Sequence, residues 1–189
     1  PESILESVLS SNDRALLTAA LKRRVEERVP TPYITQQGWF CGMPFFVDER
    51  VLIPRSPIGE LIGQAFAPWV SAEPKRVLDM CTGSACIAIA CAELFPKSTV
   101  DAVDIDPSVL QVAQINVDEY GVGERLRLVQ SDMFTSLAGE KYDLIVCNPP
   151  YVDGPDMASL PPEFLHEPRL ALESGEDGLD FTRQFLRQV

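Results

Sequence analysis

Asn148-Pro149-Pro150-Tyr151 is the stretch of this chain best equipped for chemistry. It follows an apolar run, Tyr142 to Cys147, that reads as a buried strand. The two prolines have no N–H and a locked φ. Asn148 and Pro149 each precede a proline, which drives both into extended conformations. The Asn148 carboxamide and the neighbouring carbonyls are therefore aimed in fixed directions. Such a corner suits the grip of a small planar polar group. An unreactive amine or amide nitrogen is the obvious candidate, since oxygens can accept its N–H bonds.

Three further polar clusters fall where strands are expected to end. The first runs from Asp79 through Cys81, Thr82, Gly83, Ser84 and Ala85 to Cys86. A strand-to-helix turn of this kind lets backbone N–H groups and a helix N-terminus face a carboxylate or phosphate. It does not match G-x-G-x-x-G, because only Gly83 remains, and taken alone it reads first as a tight turn before a buried helix. The second is Asp104, about 25 residues further on, placed to accept hydrogen bonds from ribose hydroxyls. Its neighbour Asp106 precedes Pro107 and reads as a helix cap. The third is Ser131-Asp132-Met133-Phe134. Asp132 can accept an exocyclic amine of adenine, with Met133 or Phe134 against the ring. Each cluster alone has an ordinary structural reading, but their order along the chain points jointly to a nucleotide-like ligand.

The elements that carry these clusters alternate. Strands are predicted at 76–80, 99–104, 126–130 and 142–147, with helices at 84–94 and 107–120, the latter capped by Asp106 and stopped by Gly121. This alternation gives βαβ units and a parallel sheet whose ligands bind at the carboxyl ends of the strands. Ahead of it, residues 1 to about 30 read as helical. Asn12 or Asp13 is the expected cap, and Leu16, Leu17, Ala20, Leu21 and Val25 the apolar stripe. Residues 39–41 and 45–47 read as a hairpin with a Gly42-Met43-Pro44 turn, and 51–53 resumes the extended pattern. Ser56 then caps a helix whose apolar face is Ile58, Leu61, Ile62, Ala65, Phe66 and Trp69. Residues 178–189 form a last helical pattern. Four strands are few for an open α/β sheet, and the first residue is Pro1, not Met. The sequence therefore reads as a piece cut at both ends.

Composition narrows the function classes. The 46% apolar and 23% charged residues describe a globular chain with no run long enough for a membrane span and no visible signal peptide. A net charge of −12, with Lys22-Arg23-Arg24 as the only basic cluster, speaks against direct nucleic-acid binding and suits a basic protein partner. Five cysteines without a C-x-x-C, and the single histidine His166, make a zinc site unexpected. The cysteines read as reduced, which implies the cytoplasm. His166 reads as a loop residue.

Taken together, the 79–84 turn, Asp104, the 131–134 cluster and the Asn148–Tyr151 corner resemble the class I S-adenosylmethionine-dependent methyltransferases. More narrowly, the chain is similar to the protein-(glutamine-N5) methyltransferases. The likeness extends to FCGMPFFV at 40–47, VLIPR at 51–55, EPRLAL at 167–172 and GEDGL at 175–179. Arg55-Ser56-Pro57 looks like the branch that modifies a large-subunit ribosomal protein of the uL3 type. The resemblance implies an α/β, Rossmann-like class I fold, truncated after its fourth strand. It divides the chain into a helical N-terminal part (1–32), a β-hairpin linker (33–55) and the methyltransferase domain (56–189). It implies S-adenosyl-L-methionine held by Asp79, Cys81, Thr82, Gly83, Ser84, Ala85, Asp104, Asp132, Met133 and Asn148. The acceptor glutamine of a basic ribosomal protein then lies against Asn148, Pro149, Pro150 and Tyr151. Cys81 and Ala85 depart from the commoner glycines, so an altered loop geometry or affinity is expected. The alternatives are a release-factor glutamine methyltransferase, an adenine-N6 nucleic-acid methyltransferase, and a non-catalytic cofactor-binding module.

Overall fold

The computed structural model describes residues 8–189; the first seven residues of the expected N-terminal helix lie outside them. Helix α1 (Ser11–Val25) opens with a capping box. The Ser10 hydroxyl accepts the Asp13 N–H at 3.1 Å, and the Asp13 carboxylate accepts the Ser10 N–H at 3.2 Å. Ser10 is therefore the cap, not Asn12 or Asp13; the acid at the third helical position completes the box. None of the α1 side chains is buried, so the stripe through Leu16, Leu17 and Leu21 faces solvent.

A short helix, α2 (Thr31–Thr35), follows and buries Tyr33, whose hydroxyl donates to the Val51 carbonyl at 2.6 Å. Strands β1 (Gly38–Phe40) and β2 (Met43–Phe45) then pair as an antiparallel hairpin. Its turn is Cys41-Gly42, both with positive φ, one residue earlier than the sequence suggests. A two-residue turn with this backbone matches the twist of the strands. Pro44 is tolerated because a two-stranded ribbon has only edges. Residues 51–53 are irregular rather than a strand. Helix α3 (Ile58–Gly63) is shorter than its apolar pattern, because Ala65 and Phe66 turn left-handed; Trp69 is exposed.

Strand β3 (Arg76–Met80) leads into helix α4 (Cys86–Leu94), strand β4 (Thr99–Asp104), helix α5 (Pro107–Tyr120), and strands β5 (Leu126–Gln130) and β6 (Leu144–Cys147). All four strands run parallel in the order β5-β4-β3-β6. The α/β reading is borne out. Every residue of α4 from Cys86 to Ala92 is buried. A helix apolar on all sides needs cover on all sides. The sheet supplies one, and Phe40, Phe45, Ile62 and Phe66 from the hairpin and α3 share its core.

Asn116 locks this arrangement. Its buried carboxamide accepts the Phe46 N–H at 2.7 Å and donates to the Phe46 and Ser84 carbonyls at 3.0 and 2.9 Å. One side chain on α5 thus ties the segment after the hairpin to the β3–α4 turn.

The chain moves outward from β3 through β4 to β5, then returns to the other side of β3 with β6. That reversal is a switch point, and the carboxyl ends of the flanking strands border the crevice where ligands of such sheets sit. Beyond β6, helix α6 (Gly154–Ser159), 3-10 turns at Pro162–His166 and Arg169–Ala171, and helix α7 (Asp180–Leu186) close that end. Phe181 and Phe185 of α7 pack on the core of Leu78 and Met80. Among the described residues no helix is long and apolar enough to cross a membrane.

Candidate active site

The β3–α4 turn is wound left-handed at Cys81, Gly83 and Ala85, with φ of 60°, 56° and 64°. Glycine takes such values freely, while a side chain there costs roughly 1–2 kcal/mol. The turn nevertheless keeps this backbone at Cys81 and Ala85, because its neighbours brace it. Thr82 N–H donates to the Val103 carbonyl at 2.9 Å. Asp79, fully buried behind the turn, accepts the Thr82 hydroxyl at 2.6 Å and the Ala88 N–H at 3.1 Å. Its other oxygen has no hydrogen-bond partner. Burial pushes the Asp79 carboxyl up to about 7, against the pull of those two hydrogen bonds.

Asp104 ends β4 and accepts the Gly83 N–H at 3.1 Å, which joins the first two polar clusters. Burial raises its carboxyl above the usual range, while backbone N–H groups of Gly83, Asp106 and Ile105 lower it. Asp106 caps α5 through the Ser108 N–H at 2.7 Å, as its place before Pro107 predicts. After β5, Met133 turns left-handed and is nearly buried. Phe134 points away into the core, 5.5 Å from the Phe185 ring.

A cavity of about 400 Å³ occupies this end of the sheet. Cys81, Thr82, Gly83, Ser84, Asp104, Asp132, Met133, Asn148 and Pro150 line it. A cavity of about 210 Å³ adjoins it, lined by Tyr151 and Phe164 among others. Asn148 lines both, as do Leu52, Arg55, Ser56 and Ala171. The Asn148 carboxamide oxygen accepts the Ser56 hydroxyl at 3.0 Å, and Ser56 Oγ accepts the Ile58 N–H at 3.3 Å. Ser56 therefore does bond α3's first turn as expected, though Pro57 holds the cap position.

The 51–56 segment is clamped over the cavity from the far side. Glu167, nearly buried, accepts the Ile53 N–H at 3.1 Å and the Arg55 guanidinium at 2.8 Å. Arg55 in turn lies over the Phe164 ring, 5.1 Å from its centroid. Tyr33 holds Val51 at the other end.

Most of the residues singled out from the sequence thus meet in one place. Three line neither cavity: Asp79 and Ala85 sit behind the turn and shape it, and Pro149 lies between two lining residues without being one. Phe134 is also excluded, because a left-handed Met133 swings the next side chain inward. Tyr151 faces the smaller cavity and is 63% exposed, so it covers the site less than expected. His166 bonds the Glu27 carbonyl at 2.9 Å and lines neither cavity. Sequence reasoning missed Ile105, Arg55 and Glu167. Ile105 had a signal: an apolar residue, 46% exposed here, directly after the acidic strand end, lining the cavity. Glu167 and Arg55 sit in the EPRLAL and VLIPR motifs, but nothing in the sequence pairs them, since they lie more than a hundred residues apart.

The geometry has a counterpart among known proteins. Residues 63–178 match the family model of the methyltransferase small domain. The chain belongs to the methyltransferase small domain family. Within this family setting, two curated relatives are similar along nearly the whole chain. A ribosomal protein uL3 glutamine methyltransferase of Bordetella pertussis (strain Tohama I) is 46% identical over 187 residues, covering 98% of this chain and 63% of that protein. One of Neisseria meningitidis serogroup B is 48% identical over 184 residues, covering 96% of this chain and 60% of that protein. The chain spans less than two thirds of the length of these relatives. Among solved structures, the hMettl16 catalytic domain in complex with MAT2A 3′UTR hairpin 6 superposes with a TM-score of 0.56. It is 16% identical and covers 94% of this chain and 62% of that one, a likeness of fold alone.

Proposed function

We propose that this protein transfers a methyl group from S-adenosylmethionine to the side-chain amide nitrogen of a glutamine in ribosomal protein uL3. The observation that carries the reading is the place of Asn148, which lines both adjoining cavities at the switch point of the sheet. The larger one suits the methyl donor by volume, being within the roughly 300–1,000 Å³ of small-molecule pockets. Its donor set fits as well. A Cβ built on Gly83 would meet only open space, so ligand atoms can approach the turn's backbone there. Asp104 would hold the ribose hydroxyls, Asp132 the adenine amine, and Ile105 with Met133 the adenine faces. Asp79 and Ala85 act behind the turn as its supports.

When bound, S-adenosylmethionine supplies a methyl group made electrophilic by its sulfonium. A glutamine amide is a poor nucleophile because its lone pair is delocalised. Asn148 Oδ1 and the Pro149 carbonyl accept the two N–H bonds of that amide, which orients the nitrogen and favours positive charge developing on it. Tyr151 packs on the planar amide from the smaller cavity. No strong base is needed at the start, because the spare proton becomes acidic only as the new bond forms.

The net charge of −12 supports a basic protein substrate over a phosphate backbone. Five free cysteines accord with work in the reducing cytoplasm. The test is mass spectrometry of ribosomal proteins after incubation with the protein and isotope-labelled donor. One added methyl on a uL3 glutamine is expected. A methyl on a release factor or on adenine in an oligonucleotide, with uL3 untouched, would overturn the assignment.

A further inference from the structure

We propose that Ser56 is a positioning residue for this reaction, acting through Asn148. The inference rests on the reading that Asn148 grips the acceptor amide. The diproline corner makes the backbone at 148–150 stiff, but it does not fix the Asn148 carboxamide. The last torsion of an asparagine is broad, with no sharp staggered wells. A carboxamide free to turn presents oxygen and NH2 alternately, and only the oxygen can accept the acceptor's N–H. The Ser56 hydroxyl is the one hydrogen-bond partner of the Asn148 side chain among the described residues, at 3.0 Å to Oδ1. A carbonyl oxygen has two lone pairs. Ser56 takes one and leaves the other for the acceptor.

The hydroxyl is itself held in register. Its oxygen accepts the Ile58 N–H at 3.3 Å, which leaves the O–H proton to point at Asn148. The chain just before it is anchored by the buried Glu167 carboxylate, through the Ile53 N–H and the Arg55 guanidinium. A segment outside the α/β sheet therefore completes the site: it delivers one hydroxyl, and the 161–168 region across the cavity fixes where that hydroxyl lies.

A double-mutant cycle with a spectroscopic readout tests this. Ser56→Ala should slow single-turnover methyl transfer about tenfold, the loss expected of one buried hydrogen bond. Ser56→Thr, which keeps the hydroxyl, should stay within about twofold of the parent rate. In an Asn148→Ala background, adding Ser56→Ala should change nothing further, because the group it acts on is gone. The side-chain amide signals of Asn148 in a nitrogen-15 spectrum of the protein without substrate should shift in Ser56→Ala and hold in Ser56→Thr. Equal losses from Ser56→Ala in both backgrounds, or unmoved amide signals, would overturn the proposal. A wild-type rate for Ser56→Ala beside a slow Asn148→Ala removes Ser56's part alone. A wild-type rate for Asn148→Ala removes the grip on which the proposal stands.

Discussion

Asp79→Asn should remove one pH-dependent part of this protein's stability. Asp79 is fully buried, and burial moves its carboxyl from 3.8 up to about 7. An unfolded chain sheds this proton near the lower value, while the folded protein keeps it until the higher one. Between them, folding takes up a proton, so stability falls as pH rises. The contribution is whole below 3.8 and is lost by about 7. A shift of that size is worth about 4 kcal/mol. Asparagine stays neutral throughout and can still accept from the Thr82 hydroxyl and the Ala88 N–H. Urea unfolding of both proteins, from about pH 4 to about pH 8, measures the effect. The stability of Asp79→Asn relative to wild type should climb by as much as about 4 kcal/mol across that range and level off. Two curves that stay parallel would refute the reasoning, because they would mean that Asp79 is ionised in the folded protein at every pH tested.

Asn116→Ala should destabilise the fold by about 3–4 kcal/mol in the same assay, since it strands the Phe46 N–H and the Phe46 and Ser84 carbonyls together. At Gly178, with φ of 73°, a Cβ would lie 2.4 Å from the Tyr151 carbonyl oxygen. Gly178→Ala should therefore cost at least about 2 kcal/mol and slow methyl transfer by shifting Tyr151. Gly175→Ala should cost less, about 1 kcal/mol, because the atoms in its way belong to the movable Asp180 side chain. Asp104→Ala should weaken S-adenosylmethionine binding about tenfold to hundredfold by calorimetry, through loss of the ribose contacts proposed for it and the loosened Gly83 turn.

The parallel sheet was open to reading because its signals are local. β3, β4, α5 and β5 have the boundaries expected from apolar runs, the Asp106 cap and the Gly121 stop. The polar clusters were legible for the same reason, since each follows a strand. What escaped reading depends on contacts between distant residues. The stripe of α1 looks like a core face, yet nothing among the described residues covers it. The pattern of α3 continues past the point where Ala65 and Phe66 reverse the backbone. The hairpin turn slipped by one residue because Cys41, not proline, takes the positive φ beside Gly42. Residues 154–171 carry several short helical turns that begin at or beside prolines, too brief to show a period. In the site, Asp79 has the residue type of a ligand contact but the burial of a brace, and spacing cannot tell these apart. Ser56 and Glu167 meet their partners across 92 and 112–114 residues, so only the folded chain reveals what they hold.

The sharpest trial of the account is the single-turnover rate of Asn148→Ala at saturating methyl donor, with uL3 as acceptor. Losing an oxygen that grips the reacting nitrogen should slow transfer on the order of a hundredfold or more. A rate within a few-fold of wild type would mean that the amide is held by something else, and that the stiff corner after β6 is not where the methyl group changes hands.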